Sequence, residues 1–448
     1  MNENVYARNV WLIALVVMVG LCGLLLAACQ QPFAPPVPSP STSPPPQESS
    51  VPATASAAGP PPATVPVSSA GITLTWWTPE SFSAAASGLS GEILTEQIAS
   101  FVVAYPDIGV RPVLKAPYGK GGILDFLRTA RAAAPSVLPD LVAIDTNELP
   151  AAVQYELLQP LDGLLSSDLR NDLFPFAVGV GQFGKQWYAV QFQADLQHLV
   201  YRTTGVPQPP STWVELLAGR TKYIFPATGR EGVVNDATLI QYLSAGGKID
   251  PTTHQLVLEE PPLRELLNFY RQGLLREVIP SQVLTFDSVE ACWPAYVSGA
   301  AAMSNAMASR YLAERASLKD TGFAPLPSRD GRVVTVTRGW ALAVVTTDPA
   351  RQAAAAQFIE WLLAPEHNAA WTQAAGRLPA RRSALDVWGT GDEYHIFLRW
   401  QLESAAYRPG GSSYMDTAAR LQRAVSDVLT GQATPDEAVK KALEPAGL

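Results

Sequence analysis

Three short stretches bring together residue types that hold hydroxylated molecules. Trp77-Thr78-Pro79-Glu80, Ala116-Pro117-Tyr118-Gly119 and Asp145-Thr146-Asn147 combine flat aromatic faces with carboxylates and an amide. An aromatic ring covers the C–H face of a polyhydroxylated ring, while carboxylates and amides bond its hydroxyls. Glu80, Asp145 and Asp195 are also carboxylates that a glycosidase could pair, although nothing in their spacing selects that chemistry.

Other chemistries lack their residues. Gly179-Val180-Gly181-Gln182-Phe183-Gly184-Lys185 imitates a dinucleotide or phosphate loop, but Gln186 stands where a phosphate loop needs Ser or Thr. Trp187-Tyr188-Ala189-Val190 then reads as a strand, not as the helix whose N-terminal amides would hold phosphate, so the glycines predict a turn. His198, His254, His367 and His395 are far apart, with no Cys or second His at ligand spacing, and no Gly-x-Ser-x-Gly elbow occurs. Neither a metal nor a cofactor is expected.

The hydroxyl-binding stretches sit where an α/β framework would put them. Ile72, Leu74 and Trp76 open a strand; Leu94, Ile98, Phe101 and Val102 recur at helical spacing up to Tyr105-Pro106. Ile108 to Leu114 predicts a second strand, Ile123 to Ala130 a second helix, Asp140 to Ile144 a third strand, and Ala151 to Leu158 a third helix. That alternation predicts a parallel sheet with ligands beyond the carboxyl ends of its strands. Strand neighbours face opposite ways, so at least one of Trp76 and Trp77 should fill core. Asp348-Pro349 predicts a helix start, and Thr434-Pro435-Asp436-Glu437 a capping box.

The chain has 448 residues, which suggests two domains or a two-lobed body. Its net charge of −8 argues against a nucleic-acid partner. After Arg8, the uncharged run Asn9 to Ala28 is long enough to enter a membrane, and its length alone fits a signal peptide or a permanent anchor. Leu26-Ala27-Ala28-Cys29 looks like a bacterial lipobox, with Cys29 the lipidated residue of the mature chain. That places the remainder outside the cytoplasm, tied to the outer face of the cytoplasmic membrane, with Cys292 as its only thiol. Gln30 to Ala70 holds thirteen prolines and a single charge, Glu48, and reads as a polyproline-rich tether.

The order of motifs in the body resembles the sugar-type extracellular solute-binding proteins of ABC importers, the group that includes maltose-binding protein. The resemblance rests on Phe101 to Pro106, Leu138 to Asp145, Leu157 to Asp162, Gly184 to Val190, Leu199 to Tyr201 and Pro210 to Leu217. Val297 to Met303, Ala324 to Pro327 and Gly339 to Val344 complete it. Gln191 stands where relatives often have Pro, and Tyr201-Arg202 where they have Tyr-Asn. Arg338 replaces the usual glycine before Gly339, either as a cleft reader of an acidic group or as a surface or hinge residue.

The resemblance implies an α/β, two-lobed type II periplasmic-binding-protein clamshell with its ligand cleft between the lobes. Residues 1–28 would be the lipoprotein signal peptide and 29–70 the lipidated Cys and tether. Lobe one would take 71–185 with 337–375, and lobe two 186–336 with 376–448. By carry-over, Trp77, Glu80, Tyr118, Asp145, Gln193, Asp195, Asn305 and Trp340 would bind a carbohydrate without catalysis. The partners implied are the importer's membrane permease subunits, with the binding protein itself a monomer. A carbohydrate-active surface enzyme and a structural envelope lipoprotein are the alternatives.

Overall fold

The computed structural model describes residues 71–389 and 391–444. The signal segment, the lipobox with Cys29 and the proline-rich tether lie outside them. Among the described residues no helix is long and apolar enough to cross a membrane.

Ten strands form the main sheet. In chain order they are β1 (Ile72–Thr78), β2 (Ile108–Leu114), β3 (Leu141–Asp145), β4 (Val190–Arg202), β5 (Tyr223–Ile224), β6 (Met303–Met307), β7 (Thr321–Ala324), β8 (Val336–Val344), β9 (Leu378–Pro379) and β10 (Ala406–Tyr407). The path runs β2-β1-β3-β8-β4-β6-β5, with β7 and β9 paired to β4 and β10 paired to β8. β1, β2 and β3 are parallel, as the strand and helix alternation predicts. β8 lies antiparallel to both β3 and β4, so the complete sheet is mixed. The difference arises because β8 reaches the sheet after a long excursion through β5, β6 and β7, not through a βαβ crossover.

Apolar residues divide by sheet face. On β1, Leu74 and Trp76 enter one core with Phe82, Phe192, Phe358 and Trp371. Trp77 enters another with Ile123, Leu127, Ile144 and Leu149. Helix Ile123–Ala133 buries Ile123, Leu127 and Ala130, one stripe of a 3.6-residue period. A third core collects Trp213, Tyr223, Tyr270, Tyr414 and Leu421 beyond β4. Leu378, Leu385, Leu398 and Leu402 join the first core, so packing crosses residue 376 without interruption.

Local signals decide several boundaries. Asp348 caps helix Pro349–Leu362 by accepting from the Ala350 and Arg351 amides. Thr434 and Glu437 form the reciprocal capping box of helix Pro435–Leu443. The glycine-rich segment differs from expectation: Gly179 and Gly181 close helix Pro175–Gly181, and only Gly184, at φ 60°, makes the turn. A Cβ on Gly181 would stand 1.9 Å from the Ala189 carbonyl oxygen, so close packing demands that glycine.

Candidate ligand-binding site

The ends of β1 and β3 and the middles of β4 and β8 open on a cavity of about 1280 Å³. Register brings the central side chains there. Trp340 on β8 pairs with Asp145 of β3 on one side and Gln193 of β4 on the other, and Arg338 pairs with Asp195. A bulge follows Trp340, and just before it a Cβ on Gly339 would meet the Gln193 carbonyl oxygen at 1.9 Å. Gly339 therefore serves strand approach, and its own carbonyl accepts from the Thr146 amide at 3.0 Å.

Six of the eight sequence-derived positions line the cavity: Glu80, Tyr118, Asp145, Gln193, Asp195 and Trp340. The structure does not bring the other two there. Trp77 is buried on the opposite face of β1, its ring packed against Phe126 and beneath the Lys115 ammonium at 4.6 Å. Asn305 is wholly buried, donating to Gln197 Oε1 at 2.8 Å and accepting from the Tyr223 hydroxyl. It orients Gln197, which does reach the cavity. Residues that sequence reading missed include Trp371, Asp236, Arg377 and Arg408. Asn235 caps helix Asp236–Ser244 through the Thr238 amide, a cue for a helix start that says nothing about a cleft.

The polar lining is heavily cross-linked. The Tyr118 hydroxyl donates to Asp145 Oδ2 at 2.6 Å, and the Asn147 amide donates to Asp145 Oδ1 at 2.8 Å. Burial first, and then the Asp145 charge, push the Tyr118 phenol well up. Asp195 receives the Leu196 and Ser309 amides, the Ser309 hydroxyl and Arg377 Nη1. Its acceptor sites are occupied, which makes it a brace more than a free ligand contact. Desolvation raises its carboxyl, against the opposing pull of Arg377 and Ser309. Asp236 joins Arg338 to Arg408, and Arg408 Nη1 continues to Asn147 Oδ1 at 2.9 Å. Among the described residues no group of His, Cys, Asp and Glu could hold a metal ion.

Beside this network, burial and the Asp145 charge push the Glu148 carboxyl up to about 7. Oε2 of Glu148 is buried without a hydrogen-bond partner. The folded chain binds this proton more tightly than the unfolded chain. Its contribution to stability is therefore full below about pH 4.5 and is lost as pH rises through about 7. Relative to the parent, Glu148→Gln should gain about 1–2 kcal/mol between pH 5 and pH 8. Melting curves of the two proteins that stay parallel over that range would rule this tuning out.

Residues 107–395 match the bacterial extracellular solute-binding protein family. A maltotriose-binding protein of Pyrococcus abyssi is 25% identical over 148 residues, covering 32% of this chain and 33% of that relative. The chain thus matches about a third of the curated relative's length. Among solved structures, the cyclic alpha-maltosyl-1,6-maltose binding protein of Arthrobacter globiformis superposes with a TM-score of 0.69 at 20% identity, over 83% of this chain and 96% of that one. The maltose-binding periplasmic protein of Listeria monocytogenes, solved with maltose, gives 0.67 at 14% identity over 84% and 96%. These likenesses establish a two-lobed periplasmic-binding-protein fold. The chain belongs to the bacterial extracellular solute-binding protein family. Membership in this extracellular family puts the folded body outside the cytoplasm.

Proposed function

We propose that the chain is the substrate-binding lipoprotein of an ABC importer, capturing a carbohydrate between its lobes and presenting it to membrane permease subunits. The observation that carries this reading is one cavity lined by Tyr118, Trp340 and Trp371 together with Asp145, Gln193 and Arg338. Aromatic faces beside planar polar groups suit a pyranose, whose ring faces are apolar and whose edge is hydroxylated. The sugars named for the similar proteins agree with it. Lobe one would comprise 71–185 and 337–375, and lobe two 186–336 and 376–448, joined through the core that Leu378, Leu385, Leu398 and Leu402 share with Leu74 and Trp76, and closing on ligand by hinge motion as a monomer.

Glycan-panel melting separates this function from its alternatives. A binding subunit is stabilised by its sugar, by about 2.7 kcal/mol at a hundredfold excess over Kd, and leaves the sugar intact. Release of shortened products would instead identify an enzyme, and absence of both effects a structural lipoprotein. Anchoring rests on Cys29. Cys29→Ala should abolish labelling by a radioactive fatty acid and block normal maturation, leaving the unprocessed precursor; labelling that persists would sink the lipobox reading.

A further inference from the structure

Two arginine–aspartate pairs on the cavity floor point the same way. Arg338 donates through Nε to Asp236, and Arg377 donates through Nη1 to Asp195 Oδ2 at 2.7 Å. In each pair the guanidinium side chain is 44% exposed, whereas the carboxylate side chain is only 3% exposed in Asp236 and 7% in Asp195. The negative ends are sequestered beneath the positive ones. Arg338 stands directly opposite Asp195 in the β8–β4 register, so the two side chains share a sheet face. Arg377 is clamped to Asp195, the residue that Arg338 faces across the two strands. Both arginines line the cavity, and each keeps most of its five N–H donors without a protein partner among the described residues.

A surface of this kind offers donors and almost no acceptors. A neutral sugar hydroxyl both donates and accepts, and it is better matched by the mixed groups around Asp145, Tyr118 and Gln193. A group that only accepts, with planar or trigonal oxygens, fits a guanidinium pair. Arg408 does not add to the patch, since its donors go to Asp236, Asn147 and the Pro409 carbonyl. Glu80, Glu231, Asp287 and Glu290 also line the cavity, but they are exposed and solvated, so their field is largely screened, while the buried Asp145 already accepts from Tyr118 and the Asn147 amide.

Building on the carbohydrate reading, we propose that the natural ligand is an acidic saccharide whose oxyanion, carboxylate or phosphate, is held by Arg338 and Arg377. The sugar ring then lies toward Trp340 and Tyr118, and the charged substituent fixes its orientation.

Matched probes test this on the wild-type chain by calorimetric titration. One pair is trigalacturonate and its methyl ester, and the other is glucose 1-phosphate and glucose. In at least one pair the charged member should bind about 100-fold more tightly than its neutral partner, as charge-assisted hydrogen bonds imply. Which pair discriminates tells carboxylate from phosphate. Arg338→Gln and Arg377→Gln should each cut that preference, the ratio of charged to neutral affinity, about tenfold. If charged members bind no better than neutral ones while maltotriose or another neutral glycan binds, the inference falls and the carbohydrate function stands. If no saccharide of either kind binds, both fall.

Discussion

Replacing Asp236 with alanine is expected to lower folding stability by about 3–5 kcal/mol. Its carboxylate side chain is 3% exposed, and it receives Arg338 from one side and Arg408 Nε, at 2.6 Å, from the other. The Arg408 side chain is itself only 11% exposed, so removing Asp236 leaves a largely buried cation without its counter-charge. A solvent-exposed pair would cost less than about 1 kcal/mol, and a loss of that size on denaturant titration would refute the argument. Acid provides a second reading. Burial works to raise the Asp236 carboxyl, but the two arginines outweigh it and hold it at about 2. A depressed folded value stabilises above the unfolded value near pH 4 and is lost as pH falls through about 2, a change of roughly 2 kcal/mol. Asp236→Asn should lack that component when its acid unfolding is compared with the parent.

Sequence patterning reached this network only in part, for a definite reason. The βαβαβ start was legible because Leu94, Phe101, Ile123 and Leu127 keep the helical period and are buried as that period requires. On β1 the alternation rule was too weak. Both faces of the sheet are covered there, so Trp76 and Trp77 enter two different cores and neither meets the cavity. The mixed sheet was not legible either. β4 runs for thirteen residues from Val190 to Arg202 and is paired with β8, β6, β7 and β9, and no local signal announces which distant strands will claim it.

The site shows the same division. Positions tied to a strand end or to a recognisable motif, such as Tyr118, Asp145 and Trp340, arrive at the cavity. Trp371 and Arg377 arrive there from the segment after β8, with nothing in their neighbours to distinguish them from an ordinary helix and its exit. Asn305 went the other way because a buried amide can be satisfied inside the protein: Tyr223 and Gln197 partner it, and its complete burial keeps it out of the cavity. Arg338 had two readings in sequence, cleft or surface. The β8–β4 register and its place in the cavity lining favour the cleft.

Trp340→Ala is expected to weaken binding of the saccharide selected by the glycan panel by about 1–3 kcal/mol, or roughly 5- to 150-fold in Kd. The indole is half-buried, packs against two cores and lines the cavity, with the Tyr118 ring centroid 6.0 Å away at 38°. It thus offers a ring partly rigidified from behind and partly open in front, flanked across the register by Asp145 and Gln193. A pyranose stacked there buries its apolar face while its hydroxyls reach those neighbours. Because only part of the ring is buried, truncation should cost less stability than the ~3–5 kcal/mol of a fully buried tryptophan. Calorimetric titration and melting of the same variant separate the two quantities. A large loss of stability with the affinity of the folded fraction intact would make Trp340 a packing residue and remove it from the site.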